Sequence, residues 1–280
     1  MNIGIRLHDT LPGALPERLG FAKEQGFSCA HVALSKVMDG FSMADAPQRL
    51  NGAFAQEVKE AFQAREMECA VLGCYLNVAD PDAEERQRTQ AIYKAHLRFS
   101  TMIGARVVGT ETFANPRSRF EKPAPRSEDA FRFFMDCLRP LVRFAEECGA
   151  VLAVEPVWSH IISTPERAQR MLEEAPSEHL QIILDAVNLI GPETFGTRDA
   201  IIADAIARLG DRVRILHMKD LTLEEGKIRS LACGQGVMRY DRLLAFAKAR
   251  DLPMTLEDTR PDNAEAARLY LERLAGEKEK

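Results

Sequence analysis

The chain has 280 residues, 46% of them hydrophobic and 28% charged, and a formal net charge of −5. The length suits one eight-unit α/β barrel, and the composition is that of a globular chain able to bury a full core. The acidic balance offers no basic face for nucleic-acid phosphates, and no apolar run of about 18 residues offers a membrane span.

Short apolar runs alternate with longer amphipathic stretches. Ile3–Leu7 is the first expected strand, followed by a helix ending at Gly26. The opening residues carry Arg6, His8 and Asp9 and lack the apolar stretch of a signal peptide, so a cytoplasmic location is expected. Cys29–Leu34 is the second strand, with a helix from about Gln48 to Glu66. Cys69–Leu76 is the third, and its helix opens after Asp80-Pro81 and closes at Gly104. Arg106–Gly109 is the fourth. Asn115–Arg126 reads as a long surface loop or lid. The helix after it shows Phe131, Phe134, Leu138, Leu141, Ala145 and Cys148 at spacings of three and four, with Gly149 as its stop and Pro140 expected to kink or divide it.

Val151–Val154 is strand five. Thr164-Pro165-Glu166 reads as an N-cap, a proline at the first helical position and a first-turn acid. Gln181–Leu184 is strand six, with a helix ending at Gly210. Val213–Leu216 is strand seven, with a helix near Tyr240–Arg250. Pro253–Leu256 is strand eight, with a last helix from Asn263 to Ala275 and a frayed tail over residues 276–280. Strands alternating with helices imply a parallel sheet, and eight units imply a single (β/α)8 barrel over residues 1–280. No G-x-G-x-x-G follows the first strand, which removes the best signal of a dinucleotide fold. Six cysteines without a C-x-x-C pair read as reduced core thiols.

The informative residues are those that end the apolar runs: His8, Asn77, Glu111, Glu155, Asp185, His217 and Glu257. In such a barrel the C-terminal strand ends form the active-site face. Any one of these residues alone is more often a cap or an ion-pair partner. Glu155, Asp185, His217 and Glu257 end four successive strands, where bare carboxylates would repel one another and lose hydration. A divalent cation removes both problems. Three carboxylates and one imidazole suit Mn²⁺ or Mg²⁺, with Co²⁺ and Zn²⁺ as alternatives.

The chain resembles the sugar phosphate isomerase/epimerase family of xylose-isomerase-like TIM barrels, the superfamily that also holds the AP endonuclease 2 type of DNA-repair enzyme. The resemblance rests on Glu155-Pro156, Asp185-x-x-Asn188, His217-Met218-Lys219-Asp220, Gly234-Gln235-Gly236 and Glu257-Asp258. It implies one metal on Glu155, Asp185, His217 and Glu257. It also implies that the two glutamates act as catalytic acid/bases from opposite faces of a sugar carbon, through an enediolate. A homodimer or homotetramer is implied as well. The chain departs from the ketose 3-epimerases at three positions. Ile161 stands where they have a further glutamate, Leu223 where they have an arginine, and Asn188 where they have a second histidine.

Candidate substrate contacts are His8, Asn77, Glu111, Trp158, His160, Asn188, Lys219 and Arg260, with Arg6 a weaker one. Asp220 is expected to orient His217 from behind. His31, His96 and His179 read as structural or solvent-exposed. The expected activity is metal-dependent sugar isomerisation or epimerisation. Rival readings are a keto-sugar dehydratase or lyase on the same site, an abasic-site endonuclease, and a non-catalytic carbohydrate-binding barrel. The endonuclease would need more histidines than the six present.

Overall fold

The computed structural model describes residues 1–112 and 124–276. Each apolar run forms a strand: β1 (Ile3–Arg6), β2 (Cys29–Val32), β3 (Glu68–Gly73), β4 (Val107–Glu111), β5 (Leu152–Glu155), β6 (Leu180–Asp185) and β7 (Val213–Met218). An antiparallel pair follows, β8 (Asp220–Glu224) and β9 (Lys227–Leu231), and then β10 (Met254–Leu256). The eight other strands close into a parallel barrel in the order β1-β10-β7-β6-β5-β4-β3-β2. The fold is therefore the expected (β/α)8 barrel. Most of the expected surface loop, residues 115–123, and the tail 277–280 lie outside the described residues.

Successive strand side chains point to opposite faces, so one parity faces the barrel axis and the other faces the helices. Cys29, Val71, Val107, Ala153, Ile183 and Ile215 form one buried cluster. Each lies two residues before a group at the mouth: His31, Gly73, Gly109, Glu155, Asp185 and His217. The cluster is thus the floor on which the polar layer stands, as expected of a barrel filled in layers. The much larger outer core joins the other strand faces to the helices, with Leu72, Val108, Leu152, Val154, Ile182, Leu184 and Leu216 on the strand side.

The helices start and stop where their ends are chemically satisfied. Asp82 accepts from the amides of Glu84 and Glu85, Ser127 from Ala130, and Thr164 from Arg167. Gly104 and Gly149 close two helices at φ of 74° and 72°, a left-handed turn that favours glycine. The helix Glu128–Cys148 runs unbroken through Pro140, against the expected division. Its apolar stripe, from Phe131 through Leu138 to Ala145, is buried on both sides of the proline. That packing outweighs one lost backbone hydrogen bond.

Strand limits shift by a few residues: β2 stops at Val32, β3 stops at Gly73, and β4 extends to Glu111. The helix expected over 48–66 is two, Ala46–Arg49 and Gly52–Gln63, because Asn51 caps the second through the Phe54 amide. The hairpin β8–β9 is an insertion the sequence reading passed over. Its two-residue loop, Glu225-Gly226, has φ of 50° and 74°, the positive pair required by a tight hairpin turn.

Inside the barrel, glycines leave room. A Cβ on Gly109 would sit 2.7 Å from Val71 Cγ1 and 2.8 Å from Ile183 Cδ1. One on Gly73 would sit 2.7 Å from the Tyr75 ring and 2.9 Å from His31 Nε2. Gly109→Ala is therefore expected to destabilise the fold by about 1–3 kcal/mol, read as a lower denaturation midpoint with an unchanged slope. An unchanged midpoint would show that the interior has slack there.

Candidate metal centre

Strand register assembles the site. Glu111 pairs with Glu155 across β4–β5, Asp185 with His217 across β6–β7, and His217 with Thr255 across β7–β10. Glu155, Asp185, His217 and Glu257 are all buried, none more than 5% exposed. His217 Nδ1 lies 3.0 Å from Glu155 Oε2 and 3.3 Å from Glu257 Oε1. Donor atoms of Glu155, Asp185 and His217 fall within 4.8 Å of one another, as do those of His31, His217 and Glu257. The four side chains expected to share an ion thus fall in two overlapping groups that meet at His217.

Local structure aims each of them. Asp185 Oδ1 accepts the amides of Val187 at 2.9 Å and Asn188 at 3.0 Å, which makes the turn after β6 and turns Oδ2 inward. Asn188 Nδ2 donates to Glu155 Oε1 at 2.5 Å, leaving Oε2 for the centre. Glu257 divides its oxygens. Oε1 faces the imidazoles, and Oε2 faces Arg6 Nη1 and Lys219 Nζ, each at 3.4 Å. Lys219 Nζ also lies 3.0 Å from Asp185 Oδ2.

Charge at this density distorts ionisation. Burial, then the Glu257 charge, pushes Glu155 up to about 8. Burial pushes Asp185 up to about 6 against the pull of Lys219. Burial also works against Glu257, but His217, Lys219, His31 and Arg6 together hold its carboxyl well below the usual range. Burial disfavours the Lys219 charge, yet Asp185, Glu257 and Glu155 raise its pKa overall. Burial lowers His217. Both its ring nitrogens are buried without a hydrogen-bond partner. An imidazole lone pair with no donor, faced by carboxylate oxygens, fits a divalent cation.

The remaining candidates divide. Glu111 stands beside Glu155 with Oε2 3.7 Å from His160 Nδ1. Burial, Glu155 and Glu257 push it up to about 8. Burial lowers His160 to about 4. His8 sits in a short turn after β1, edge-on to His31 at 6.4 Å, and burial lowers it to about 3. Asn77 is half-buried; its Oδ1 takes the Ala79 amide and its Nδ2 has no partner. Trp158 turns aside onto Gly191, with Arg126 stacked 5.0 Å above its ring. Arg260 is exposed and pairs with Asp262 in its own loop, outside the centre.

Two expectations need correction. Asp220 does not orient His217. One strand parity away, its oxygens accept the amides of Leu221, Gly234 and Met238 at 2.8, 3.0 and 2.8 Å. It ties down the Gly234-Gln235-Gly236 loop, where a Cβ on Gly236 would strike the Leu221 carbonyl and Asp220 itself. His31, read as structural or solvent-exposed, is not exposed. It is buried in the centre, stacked on His217 with centroids 5.2 Å apart, its Nδ1 3.5 Å from Glu257 Oε1. Strand alternation could have found it: His31 shares a layer with Arg6, its register partner on β1. Arg6 is half-buried and binds Asp9 at 3.1 Å and Asp258 at 3.0 Å besides Glu257.

Residues 19–274 match the model of the family described as xylose isomerase-like TIM barrels. The chain belongs to this family. D-psicose 3-epimerase of Enterocloster bolteae is 28% identical over 145 residues, 51% of this chain and 46% of that protein. The chain thus spans about half the length of this curated relative. Among solved structures, 3-keto-D-glucoside 4-epimerase from E. coli superposes with a TM-score of 0.75 at 20% identity, over 98% of this chain and 99% of that one. The IOLI protein with a bound zinc atom superposes at 0.73 with 18% identity, over 98% and 96%. At these identities the likeness is one of fold.

A cation on Glu155 would require the carboxyl to release its proton, so affinity for Mn²⁺ should fall as pH drops below about 8, by about tenfold per unit for one proton. Calorimetric titration between pH 6.5 and 8.5 measures this; a flat profile would mean Glu155 is already ionised. Asp220→Ala should lower the melting temperature by several degrees, the scale of about 1–3 kcal/mol for stranded buried amides, yet leave Mn²⁺ affinity within about threefold. A large loss of affinity would restore Asp220 to a role behind His217.

Proposed function

We propose that the protein is a metal-dependent isomerase or epimerase of a carbonyl-bearing sugar, with Glu155 and Glu257 as its acid/base pair. The observation that carries this reading is that two buried groups of metal-ligating side chains, one with Glu155 and Asp185 and one with Glu257, meet at an unpartnered His217 at the mouth of the barrel. The 28% identity to a D-psicose 3-epimerase over half the chain supports carbohydrate as the substrate class.

Glu155, Asp185, His217 and Glu257 would hold the ion. A divalent cation there would draw electrons from a carbonyl and its neighbouring hydroxyl and acidify the C–H between them. Mn²⁺ is the first choice for this oxygen-rich set, with Mg²⁺, Co²⁺ and Zn²⁺ as alternatives. The chain's own groups do the rest. Glu155 and Glu257 arrive from strands separated by β6 and β7, so they reach a bound carbon from different sides. One takes the proton and the other returns one to the opposite face or to the adjacent carbon. Asn188 fixes the Glu155 carboxylate, and Arg6 and Lys219 fix that of Glu257. Glu111, His8, Asn77 and His160 are the polar groups left at the mouth for sugar hydroxyls, with Lys219 beside the reacting carbon.

The departures from the ketose 3-epimerases shape the expected substrate. Ile161 is a buried core residue, and Leu223 is exposed on the hairpin. Neither offers a sugar a polar group, so the natural substrate is a keto-sugar other than the free ketoses of those enzymes. A homodimer or homotetramer and a cytoplasmic location are part of this reading. Among the described residues no helix is long and apolar enough to cross a membrane.

Solvent deuterium incorporation into a panel of ketoses and keto-sugars with Mn²⁺ tests the proposal. Label should enter with wild type, and Glu257→Gln should lose at least about a hundredfold, the scale of a missing general base. Equal uptake by both would remove Glu257 from the chemistry. A product of lower mass would indicate elimination instead.

A further inference from the structure

His31 is the one buried imidazole at the centre that a four-ligand site leaves unused. Its ring lies parallel to that of His217, the planes 11° apart. Nδ1 points at Glu257 Oε1 from 3.5 Å, and Nε2 lies 3.2 Å from the Tyr75 hydroxyl. The residue is 1% exposed, and Nδ1 has no hydrogen-bond partner.

We infer that His31 is a fifth ligand of the cation, through Nδ1, held in place by Tyr75. The inference rests on the metal-dependent reading above. When the neutral ring gives its Nε2–H to the Tyr75 oxygen, a bare lone pair on Nδ1 confronts a carboxylate oxygen. Two such acceptors are not left face to face in a buried site unless something positive lies between them. The opposite tautomer would aim an N–H at Glu257, but across 3.5 Å it makes only a weak hydrogen bond. Donors that share an ion at about 2.1 Å lie ~3 Å apart at right angles and ~4 Å apart when opposed. The spacings Glu155 Oε2–His217 Nδ1 at 3.0 Å, Glu257 Oε1–His217 Nδ1 at 3.3 Å and His31 Nδ1–Glu257 Oε1 at 3.5 Å all fall in that range. Tyr75 does what partners behind metal-bound histidines do: it fixes the tautomer and the ring plane.

The donor set becomes three carboxylates and two imidazoles. Added nitrogen shifts preference from Mg²⁺ toward Mn²⁺, Co²⁺ and Zn²⁺. The second imidazole comes from β2, on the other side of the barrel from β5 and β6.

Co²⁺ alone is the probe. Proton NMR of the Co²⁺-loaded wild type in water should show two hyperfine-shifted, exchangeable imidazole N–H signals, from Nε2–H of His31 and of His217. His31→Gln should keep one signal and weaken Co²⁺ binding at least about tenfold, and Tyr75→Phe should weaken it severalfold. The wild-type spectrum needs no variant to fold. A single shifted N–H in the loaded wild type, or unchanged Co²⁺ affinity in a folded His31→Gln protein, overturns the assignment of His31 and leaves the four-ligand reading standing. Failure of the wild type to bind Co²⁺ at all overturns both.

Discussion

The structure depends on one electrostatic constraint: three carboxylates and two imidazoles are held together out of water at the barrel mouth. Glu155, Asp185 and Glu257 cannot all be ionised there without compensating positive charge. The chain supplies part of it. Arg6 and Lys219 stand on the outer oxygen of Glu257, Lys219 also reaches the inward oxygen of Asp185, and Asn188 donates to the outer oxygen of Glu155. The inward oxygens of Glu155 and Glu257 and the Nδ1 of His217 are left to one another. Carboxylate oxygens turned toward an imidazole nitrogen that has no hydrogen-bond partner form a donor set that suits a cation. Burial first, and then the neighbouring carboxylates, push Glu155 and Asp185 upward in that arrangement.

The surrounding architecture serves that constraint. The apolar floor formed by Ile183, Ile215, Ala153 and their neighbours keeps water from below. Parallel strands deliver side chains to one level, because register fixes which residues stand abreast. The hairpin after β7 is bound to the same rim at two points. Asp220 gathers the amides of the glycine loop, and Ser230 donates to Asp258, whose other oxygen binds Arg6. Arg6 therefore links the first strand, the hairpin and the last strand at the edge of the site.

Much of this was legible in the sequence, and the reasons are particular. Glu155, Asp185, His217 and Glu257 each close an apolar run, so the contrast between run and terminus located them. That contrast failed for His31, which lies one residue inside the end of β2 and is flanked by Ala30 and Val32. Only its parity marks it, and parity is readable only when the strand limit is known to a residue. Asp220 failed for the related reason. It follows His217 by three, an odd step that sends it to the outer face, and proximity in sequence was taken for proximity in space. The hairpin was hidden because its exposed strands lack an apolar face, with Arg229 and Lys227 on the outside and only Leu221 fully buried. Pro140 does not divide its helix, because the stripe of buried residues on either side of it holds the two parts together.

The glycines of β3 and β4 carry a consequence of their own. Gly73 and Gly109 hollow out the interior at the mouth, and that hollow holds the rings of Tyr75 and His31. The two halves of the barrel are thus unlike. One wall presents acids, and the other presents aromatic and imidazole rings seated in space that missing side chains vacate. A methyl group added to the lower wall would shift a ring at the rim without altering any ionisable residue. The placing of His31 is therefore governed by the space beside it as well as by charge, and core and mouth form one mechanical unit.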